Sequence, residues 1–464
     1  MSEPLHARRP GIFRLGRWCL FLLLSVTLAT EPAMAQSILR DAETESLFHD
    51  IADPLIAAGH LNPKSVQIVL IQDDSINAFV ATGQTVYIHT GLIAAADNAN
   101  EVQGVIAHEL GHITGGHAIR IQEGAKVATG IMLLSLILGA AAMAAGSAEG
   151  GAGIMAAGQQ AAMGKFLAFS RDQESSADQA GSSFLNTAGI SGKGMISFFK
   201  KLQNLEYRLA IPQEDAYART HPLSGERIQA LEANLKASPA WNKPIDPRLE
   251  ERFERVKAKL VGYINDPRRT FILYPETDHS LSARYARAYA WHKQAEVEKS
   301  TSELDSLLRD RPNDPFFLEL KGQVLLESGR PEEALESLRE AVRRAPDQPL
   351  IASLLGHALI ATEQPGNYDE AKKVLKAAIN RDNSNPFAWY QLGIVYDHEG
   401  DSARAALATA ERYNLEGVPR LAMVNAQMAL QGIPNNTPDW LRAQDIALVS
   451  KSELDKDKHH RDRD

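Results

Sequence analysis

A repeat of 34 residues in the C-terminal half of the chain constrains the fold most strongly. Glycines, prolines and alanines recur there at spacings of 34 and 37 residues. The three sets are Gly322, Gly356 and Gly393, then Pro315, Pro349 and Pro386, then Ala334, Ala371 and Ala405. This period is typical of paired helices that stack, and the small residues let the two helices of a pair approach closely. The sequence therefore predicts an α-solenoid over 281–445, whose concave surface binds segments of other proteins.

Residues 1–35 are predicted to be a secretory signal peptide. Four arginines precede a largely apolar run at 18–29, and Ala33-Met34-Ala35 is a small-x-small cleavage site. The apolar run is shorter than the roughly 20 residues needed to span a bilayer, which argues against the alternative of an uncleaved anchor. We therefore expect the mature chain to begin at Gln36, in an oxidising compartment such as a bacterial periplasm.

Charge and cysteine content exclude several classes of protein. The formal net charge is −9 and no long basic run is present, so nucleic acid is not an expected partner. The single cysteine, Cys19, excludes an intramolecular disulfide, a cysteine-based zinc site and an iron–sulfur cluster.

The chemistry is predicted to lie at residues 108–112, which read His-Glu-Leu-Gly-His. These residues fall on a predicted helix that follows three short strands, at 67–71, 77–80 and 85–89, which we expect to form a small antiparallel sheet. Residues four apart share one face of a helix, so His108 and His112 can bind one zinc ion. Glu109 lies beside them as the general base for the attacking water. The alternative is two surface histidines on an ordinary helix.

A catalytic zinc needs a third protein ligand, and the sequence offers Glu174. The metzincin pattern would require a histidine at position 118, where the chain has Ala118, and His117 falls one residue short. Glu174 and Asp178 are one turn apart on a later helical stretch. Glu174 would ligate the metal, and Asp178 would fix the orientation of a ligand histidine. The alternative is a solvated acidic face, and His117 is interpreted as a structural histidine.

His221, which precedes Pro222, is the other notable histidine. Three roles are open for it. It could donate a hydrogen bond to the transition state, or bind the zinc as a fourth ligand that closes the site in a resting state. The third role is that of an ordinary loop histidine.

The motifs at 108–112 and 174–178, with the later Thr220-His221-Pro222, resemble the gluzincin peptidase family that includes the CAAX prenyl proteases. The resemblance covers about residues 40–230. With the signal peptide and the tetratricopeptide-like repeats, the chain is similar to the periplasmic β-barrel assembly-enhancing proteases of Gram-negative bacteria. That resemblance implies Zn²⁺ ligation by His108, His112 and Glu174, with Glu109 as the catalytic base and His221 as a candidate regulator of the zinc.

The uncharged segment 127–145 is close to spanning length. A single crossing would put Glu174 on the opposite side of a bilayer from His108 and His112. Residues 125–165 are therefore predicted to form a lid or plug over the cleft, with peripheral contact to the inner leaflet of the outer membrane as a further expectation. A transmembrane hairpin is the alternative.

The predicted fold class is mainly α (α+β): a zincin-type metallopeptidase domain with a small sheet, then the repeat solenoid. The domain boundaries expected are the peptidase at 36–245, a helical linker at 246–280, the repeats at 281–445 and a charged disordered tail at 446–464. The predicted function is that of a periplasmic zinc metalloendopeptidase in the assembly and quality control of outer-membrane proteins. Its expected partners are unfolded or misassembled outer-membrane proteins and their assembly machinery. The alternative is a chaperone or assembly scaffold whose peptidase is latent.

Overall fold

The computed structural model describes residues 37–81, 83–145, 147–209, 221 and 223–461. The predicted signal peptide and its cleavage site lie outside the described residues.

The N-terminal region packs helices around a four-stranded sheet. Its strands are β1 (Ser37–Leu39), β2 (Gln67–Gln72), β3 (Ala78–Val80) and β4 (Thr85–His89). Its helices are α1 (Ala42–Ala58), α2 (Thr90–Ala95), α3 (Ala99–Thr114), α4 (His117–Ala144), α5 (Ala148–Thr187), α6 (Lys193–Leu209), α7 (Gly225–Lys236), α8 (Pro247–Ile264) and α9 (Pro267–Leu273). Helix α3 lies at the centre, because all its residues from Ala99 to His112 are buried.

The sheet is mixed, so the predicted antiparallel sheet is wrong in one pairing. The strand order is β1-β2-β4-β3, and β2 pairs with β4 in parallel, whereas the other two pairings are antiparallel. Strand β3 returns to the outer edge of β4 as a hairpin. The inner edge of β4 is then left for β2, which runs in the same direction.

Helix α8 is part of the peptidase core and not only a connection between domains. Phe253, Val256 and Leu260 are buried in the same hydrophobic cluster as the leucines of α1 and the valines of α3. The segment predicted as a linker therefore contributes its first helix to the body of the N-terminal region.

The C-terminal half is a series of antiparallel helix pairs, as the period predicts. The helices are α10 (Leu281–Lys293), α11 (Val297–Asp310), α12 (Pro315–Glu327), α13 (Pro331–Arg344), α14 (Pro349–Ala361), α15 (Pro365–Arg381), α16 (Pro386–His398), α17 (Ser402–Leu415), α18 (Pro419–Gly432) and α19 (Pro438–Arg461). Proline at the first position of a helix gives up no hydrogen bond, which explains the repeating prolines. A Cβ at Gly322 would lie 2.4 Å from Leu338 Cγ, so glycine is what permits the close packing of α12 on α13.

Buried ion pairs join the two halves of the chain. Lys259 Nζ lies 2.5 Å from Asp41 Oδ1. Arg255 contacts Glu43 and Asp314, each at 2.7 Å. The hydroxyl of Tyr285 also donates to Glu43 at 2.8 Å. The start of α1, helix α8 and the first repeat helices therefore form one polar junction.

Helices α4 and α5 form a long antiparallel hairpin. We call residues 124–164 of this hairpin, around the turn at its end, the arm. Large apolar side chains of the arm are exposed, including Leu134 at 58% and Ile137 at 66%. This differs from the predicted lid or plug over the cleft, because these side chains face outward and do not pack on the peptidase domain.

The charged C-terminal segment is helical up to Arg461, so the predicted disorder of 446–461 is wrong; residues 462–464 lie outside the described residues. Ala443, Ile446 and Ser450 are buried against the preceding helices. Extending an existing helix costs far less than starting one, so these anchored turns carry the helix on into the charged residues.

Candidate metal centre

The two histidines of the His-Glu-Leu-Gly-His motif meet on one face of α3. The side chain of Asn98 caps this helix by accepting a hydrogen bond from the Glu101 amide. Four residues then separate the two imidazoles along the helix, and their Nε2 atoms lie 3.1 Å apart. Both rings are buried, with His108 fully enclosed and His112 only 7% exposed.

Helix α5 crosses α3 at glycine contacts and brings Glu174 to the histidines. A Cβ at Gly111 would lie 2.5 Å from the Ala177 carbonyl oxygen, and one at Gly181 would lie 2.9 Å from the Ala107 backbone. This close crossing places the Glu174 carboxylate 3.3 Å from His108 Nε2 and 3.4 Å from His112 Nε2. The predicted third ligand is therefore beside the first two.

His221 completes a group of four donors. Its Nδ1 lies 3.0 Å from Glu174 Oε1 and 3.3 Å from His108 Nε2. Ligand atoms of His108, His112, Glu174 and His221 all lie within 4.8 Å of one another. Zinc bonds of about 2.0–2.1 Å in a tetrahedron would separate the ligand atoms by about 3.3 Å. Five of the separations, at 3.0–3.4 Å, are close to this value, so the four side chains are near enough to surround one zinc ion.

Glu109 is fully buried beside this group. Among the described residues neither of its carboxylate oxygens has a hydrogen-bond partner, and Oε1 lies 3.6 Å from His221 Nε2. Burial raises the pKa of Glu109, and the charges of His221 and His108 only partly oppose this effect. A carboxylate with free acceptor atoms and a raised pKa is suited to take a proton from a water molecule.

Asp178 and Arg227 support the donors from behind. Asp178 Oδ1 lies 3.0 Å from His108 Nδ1, as the sequence predicts for an orienting carboxylate. Arg227 donates to both carboxylates, from Nη2 to Asp178 Oδ1 at 2.9 Å and from Nη1 to Glu174 Oε2 at 3.0 Å. Arg227 was not predicted from the sequence, because it is 49 residues from Asp178 and belongs to no motif.

His117, predicted to be a structural histidine, contacts a donor directly. Its Nδ1 lies 2.9 Å from Nδ1 of His112, and the ring is buried. It stands at the start of α4, directly after Gly116, whose φ of 62° interrupts the helix between α3 and α4. His112 and His108 therefore each have a polar partner on the ring nitrogen that faces away from the donor group.

The charges of the group keep Glu174 ionised and His108 basic. Burial alone would raise the pKa of Glu174, but His221 and His108 hold that pKa well below its ordinary range. Burial alone would lower the pKa of His108, but hydrogen bonds to Asp178 and Glu174 raise it to about 9. The pocket thus stabilises negative charge on Glu174 and a proton on His108, whereas burial and the charges of His108 and His221 hold the pKa of His112 well below its ordinary value.

Comparison with known proteins agrees with this geometry. Residues 39–235 match peptidase family M48, and residues 285–349, 319–365 and 363–415 match the tetratricopeptide repeat. The chain is 26% identical over 361 residues to a β-barrel assembly-enhancing protease of Yersinia pestis, which covers 75% of this chain and 71% of the relative. It is 30% identical over 181 residues to the metalloprotease LoiP of Escherichia coli, covering 38% of this chain and 66% of the relative. Among solved structures, the tetratricopeptide-repeat protein YrrB matches 38% of this chain and 91% of its own, with 20% identity and a TM-score of 0.31.

Residues 39–235 therefore form a domain that matches the M48 metallopeptidases, and tetratricopeptide repeats follow it. Relatives that share both parts are named β-barrel assembly-enhancing proteases.

Proposed function

We propose that the protein is a periplasmic zinc-dependent endopeptidase that acts in the assembly and quality control of outer-membrane proteins. The observation that carries the proposal is the buried group of four metal-binding side chains within 4.8 Å of one another, beside a Glu109 carboxylate that has no hydrogen-bond partner among the described residues. The predicted signal peptide and the names of the relatives support the compartment and the biological role.

Zinc is the metal that fits the donor set best. Two imidazoles and a carboxylate are its usual ligands in hydrolytic sites, where a fourth position is left for water or substrate. His108, His112 and Glu174 would hold the ion, which when bound would activate a water molecule and polarise the scissile carbonyl. Asp178, fixed by Arg227, would keep His108 in the rotamer and tautomer that ligation requires.

Glu109 would then act as the general base. Its buried carboxylate has no other hydrogen-bond partner among the described residues, so both oxygens remain available to a water molecule in the site. The raised pKa brings the carboxylate closer to the pH at which a base both exists and accepts a proton efficiently. The same group would later return the proton to the leaving amine.

His221 would keep the peptidase latent. Its Nδ1 lies among the possible ligand atoms, 3.0 Å from Glu174 Oε1, so its imidazole would compete with water for the fourth position on a bound ion. An imidazole there would fill the open position and exclude the water. In the opposite interpretation the ring leaves the metal and donates to the oxyanion of the transition state.

The repeat domain would supply the substrates. Solenoids of this class bind extended or helical segments of other proteins. We expect unfolded or misassembled outer-membrane proteins as clients, and contact with their assembly machinery. A second candidate function is mainly that of a chaperone or assembly scaffold whose peptidase is latent, and the position of His221 among the metal-binding side chains favours it.

Glu109→Gln tests the peptidase against the scaffold. Glutamine has nearly the same shape and cannot accept the proton, so cleavage of unfolded casein should fall by about 10²–10⁴-fold with zinc retained. Glu123→Gln, at an exposed glutamate of α4, is the control and should cleave like the wild type. Wild-type cleavage by Glu109→Gln would rule it out as the base. Full rescue by this variant of a strain that lacks the protein would establish the scaffold function instead.

His221→Ala separates the two roles of that histidine by the sign of its effect. A latent enzyme should become more active, including self-cleavage, when the blocking ring is removed. Loss of an oxyanion donor should lower activity by about 10²–10³-fold. Activity within about twofold of wild type, with zinc content unchanged, would exclude both roles.

A further inference from the structure

The arm exposes apolar side chains on nearly every side of α4. Residues 132–138 are exposed except for Ser135, and the other six are methionine, leucine or isoleucine side chains at 43–66% exposure. Seven consecutive residues cover almost two turns, so these side chains point in all directions other than toward α5. By length and composition α4 can cross a membrane, yet only 11% of its apolar window is buried.

The residues between the two helices of the arm are small. Gly139 of α4 and Gly151 of α5 pack against each other, since a Cβ at either would approach the carbonyl oxygen of the other at 2.8 or 2.5 Å. Ser135 is buried where α4 faces Gly158. The arm thus has small residues between its helices and large apolar residues on its outer surface. A water-soluble helical hairpin has the opposite arrangement. The arrangement in the arm is the one by which helices associate in lipid.

Charge is nearly absent from the arm. Lys126 and Glu149 are the only charged residues in 124–164, in a chain whose net charge is −9. Residues 127–145 alone would span about 28 Å as a helix, close to the thickness of the hydrocarbon layer. Nothing electrostatic therefore opposes burial of the greater part of α4 in hydrocarbon.

We propose that the arm inserts into a lipid bilayer with α4 against the acyl chains and its two ends on the same side of the membrane. Because a hairpin returns to the side from which it starts, Glu174 stays with His108 and His112. With the arm lying along the membrane surface, Gln159 and Gln160, which are exposed on α5, would face the headgroups.

Lipid explains the surface better than a protein partner does. A docked protein or a second copy of the chain would cover one face of α4 and leave the others in water. A hydrocarbon medium contacts all of them at once. Insertion of the arm does not depend on the peptidase activity.

Vesicle flotation tests the insertion. The processed protein should float with vesicles of phosphatidylethanolamine and phosphatidylglycerol, and also with vesicles of phosphatidylcholine. Binding should persist in 0.5 M NaCl, because apolar burial is not screened by salt as ionic contacts are. Leu134→Asp with Ile137→Asp should lower the bound fraction at least tenfold. The matched control, Ile272→Asp with Leu448→Asp, changes residues of 79% and 59% exposure in other helices and should float like the wild type.

Several results would overturn the proposal. One is that the wild-type protein does not float with vesicles of any composition. Another is that the arm variant, Leu134→Asp with Ile137→Asp, floats as well as the control variant. A lipid-free dimer of the wild type that the arm variant abolishes would assign the surface to a second copy. Unchanged casein cleavage and circular dichroism in the arm variant would show that its effect is not misfolding.

Single cysteines give a second, independent readout. The chain has one native cysteine, Cys19, inside the predicted signal peptide. A fluorophore at Ile137→Cys should be quenched by lipid-borne quenchers, whereas one at Gln160→Cys should be quenched by aqueous iodide. Equal access of iodide to both positions in the presence of vesicles would contradict insertion.

Discussion

Helix α5 passes through two opposite environments. In its N-terminal half, Met163 and Leu167 are 56% and 42% exposed, although both are apolar. In its C-terminal half, Glu174 and Asp178 are only 4% exposed, although both are acidic. Stability in water would favour the reverse in each half. Each half therefore points to something outside the protein chain: a cation for the buried acids and a lipid phase for the exposed apolar residues.

The largest effect is expected on zinc binding beside the buried half of α5. It is expected at His117, where α3 and α4 meet. His117→Ala removes the ring that holds His112 by its Nδ1 atom, so zinc affinity should fall by about 10–100-fold. Chelator competition measures this directly. His117→Asn can place a polar atom near the former Nδ1 and should recover much of the affinity. His49→Ala, at a 73% exposed histidine, is the control. Equal zinc affinity in wild type and His117→Ala would show that His117 only fills space.

The same substitution, glycine to alanine, can be made in each half of α5, at Gly164 and at Gly181. A Cβ at Gly181 would lie 2.9 Å from the Ala107 backbone, whereas a Cβ at Gly164 would meet nothing within 4 Å. Gly181→Ala should therefore destabilise the peptidase domain by about 1–3 kcal/mol through overpacking. Gly164→Ala should stabilise its helix by up to about 1 kcal/mol. Urea denaturation of both variants measures the difference, and equal stabilities would mean that α3 and α5 do not cross as described.

A smaller effect, on the pH dependence of stability, is expected at Glu319, a glutamate outside both the metal centre and the arm. Glu319 lies near Asp41 and Glu43 at the polar junction, where burial raises its pKa from 4.5 to about 8. Between these values the folded chain holds a proton that the unfolded chain has released, so stability falls as pH rises through this window. Glu319→Gln should raise the melting temperature by about 2–4 °C at pH 8, if about 1 kcal/mol is recovered, and change it little at pH 4.5.

The control for this variant is Glu332→Gln, at an exposed glutamate of α13. A Glu319→Gln melting curve that is lower than wild type at pH 8 would contradict the raised pKa.

The sequence predicted the features that depend on local spacing. The face shared by His108 and His112 follows from the helical period, and the paired helices follow from the 34-residue repeat. Glu174 and Asp178 were also found by their spacing on one helix. Each of these signals is contained within one or two turns or within one repeat.

Features set by distant packing were not predicted. Arg227 reaches Glu174 and Asp178 from another helix, and no periodic signal connects them. The parallel pairing of β2 with β4 depends on which edge of β4 strand β3 occupies. The outward-facing apolar residues of the arm have the same composition as a buried plug, so their direction could be read only from the structure.

The central claim is that the buried acid Glu174 of α5 holds the metal. The zinc content of variants at Glu174 and at its neighbour Asp172 tests this claim most directly. Metal analysis of the purified wild type should give about one Zn²⁺ per chain. Asp172→Ala removes an exposed acid one half-turn before Glu174 and should keep that zinc. Glu174→Ala should lose most of it while remaining folded. Full zinc retention in Glu174→Ala would show that the buried acids of α5 do not hold the metal.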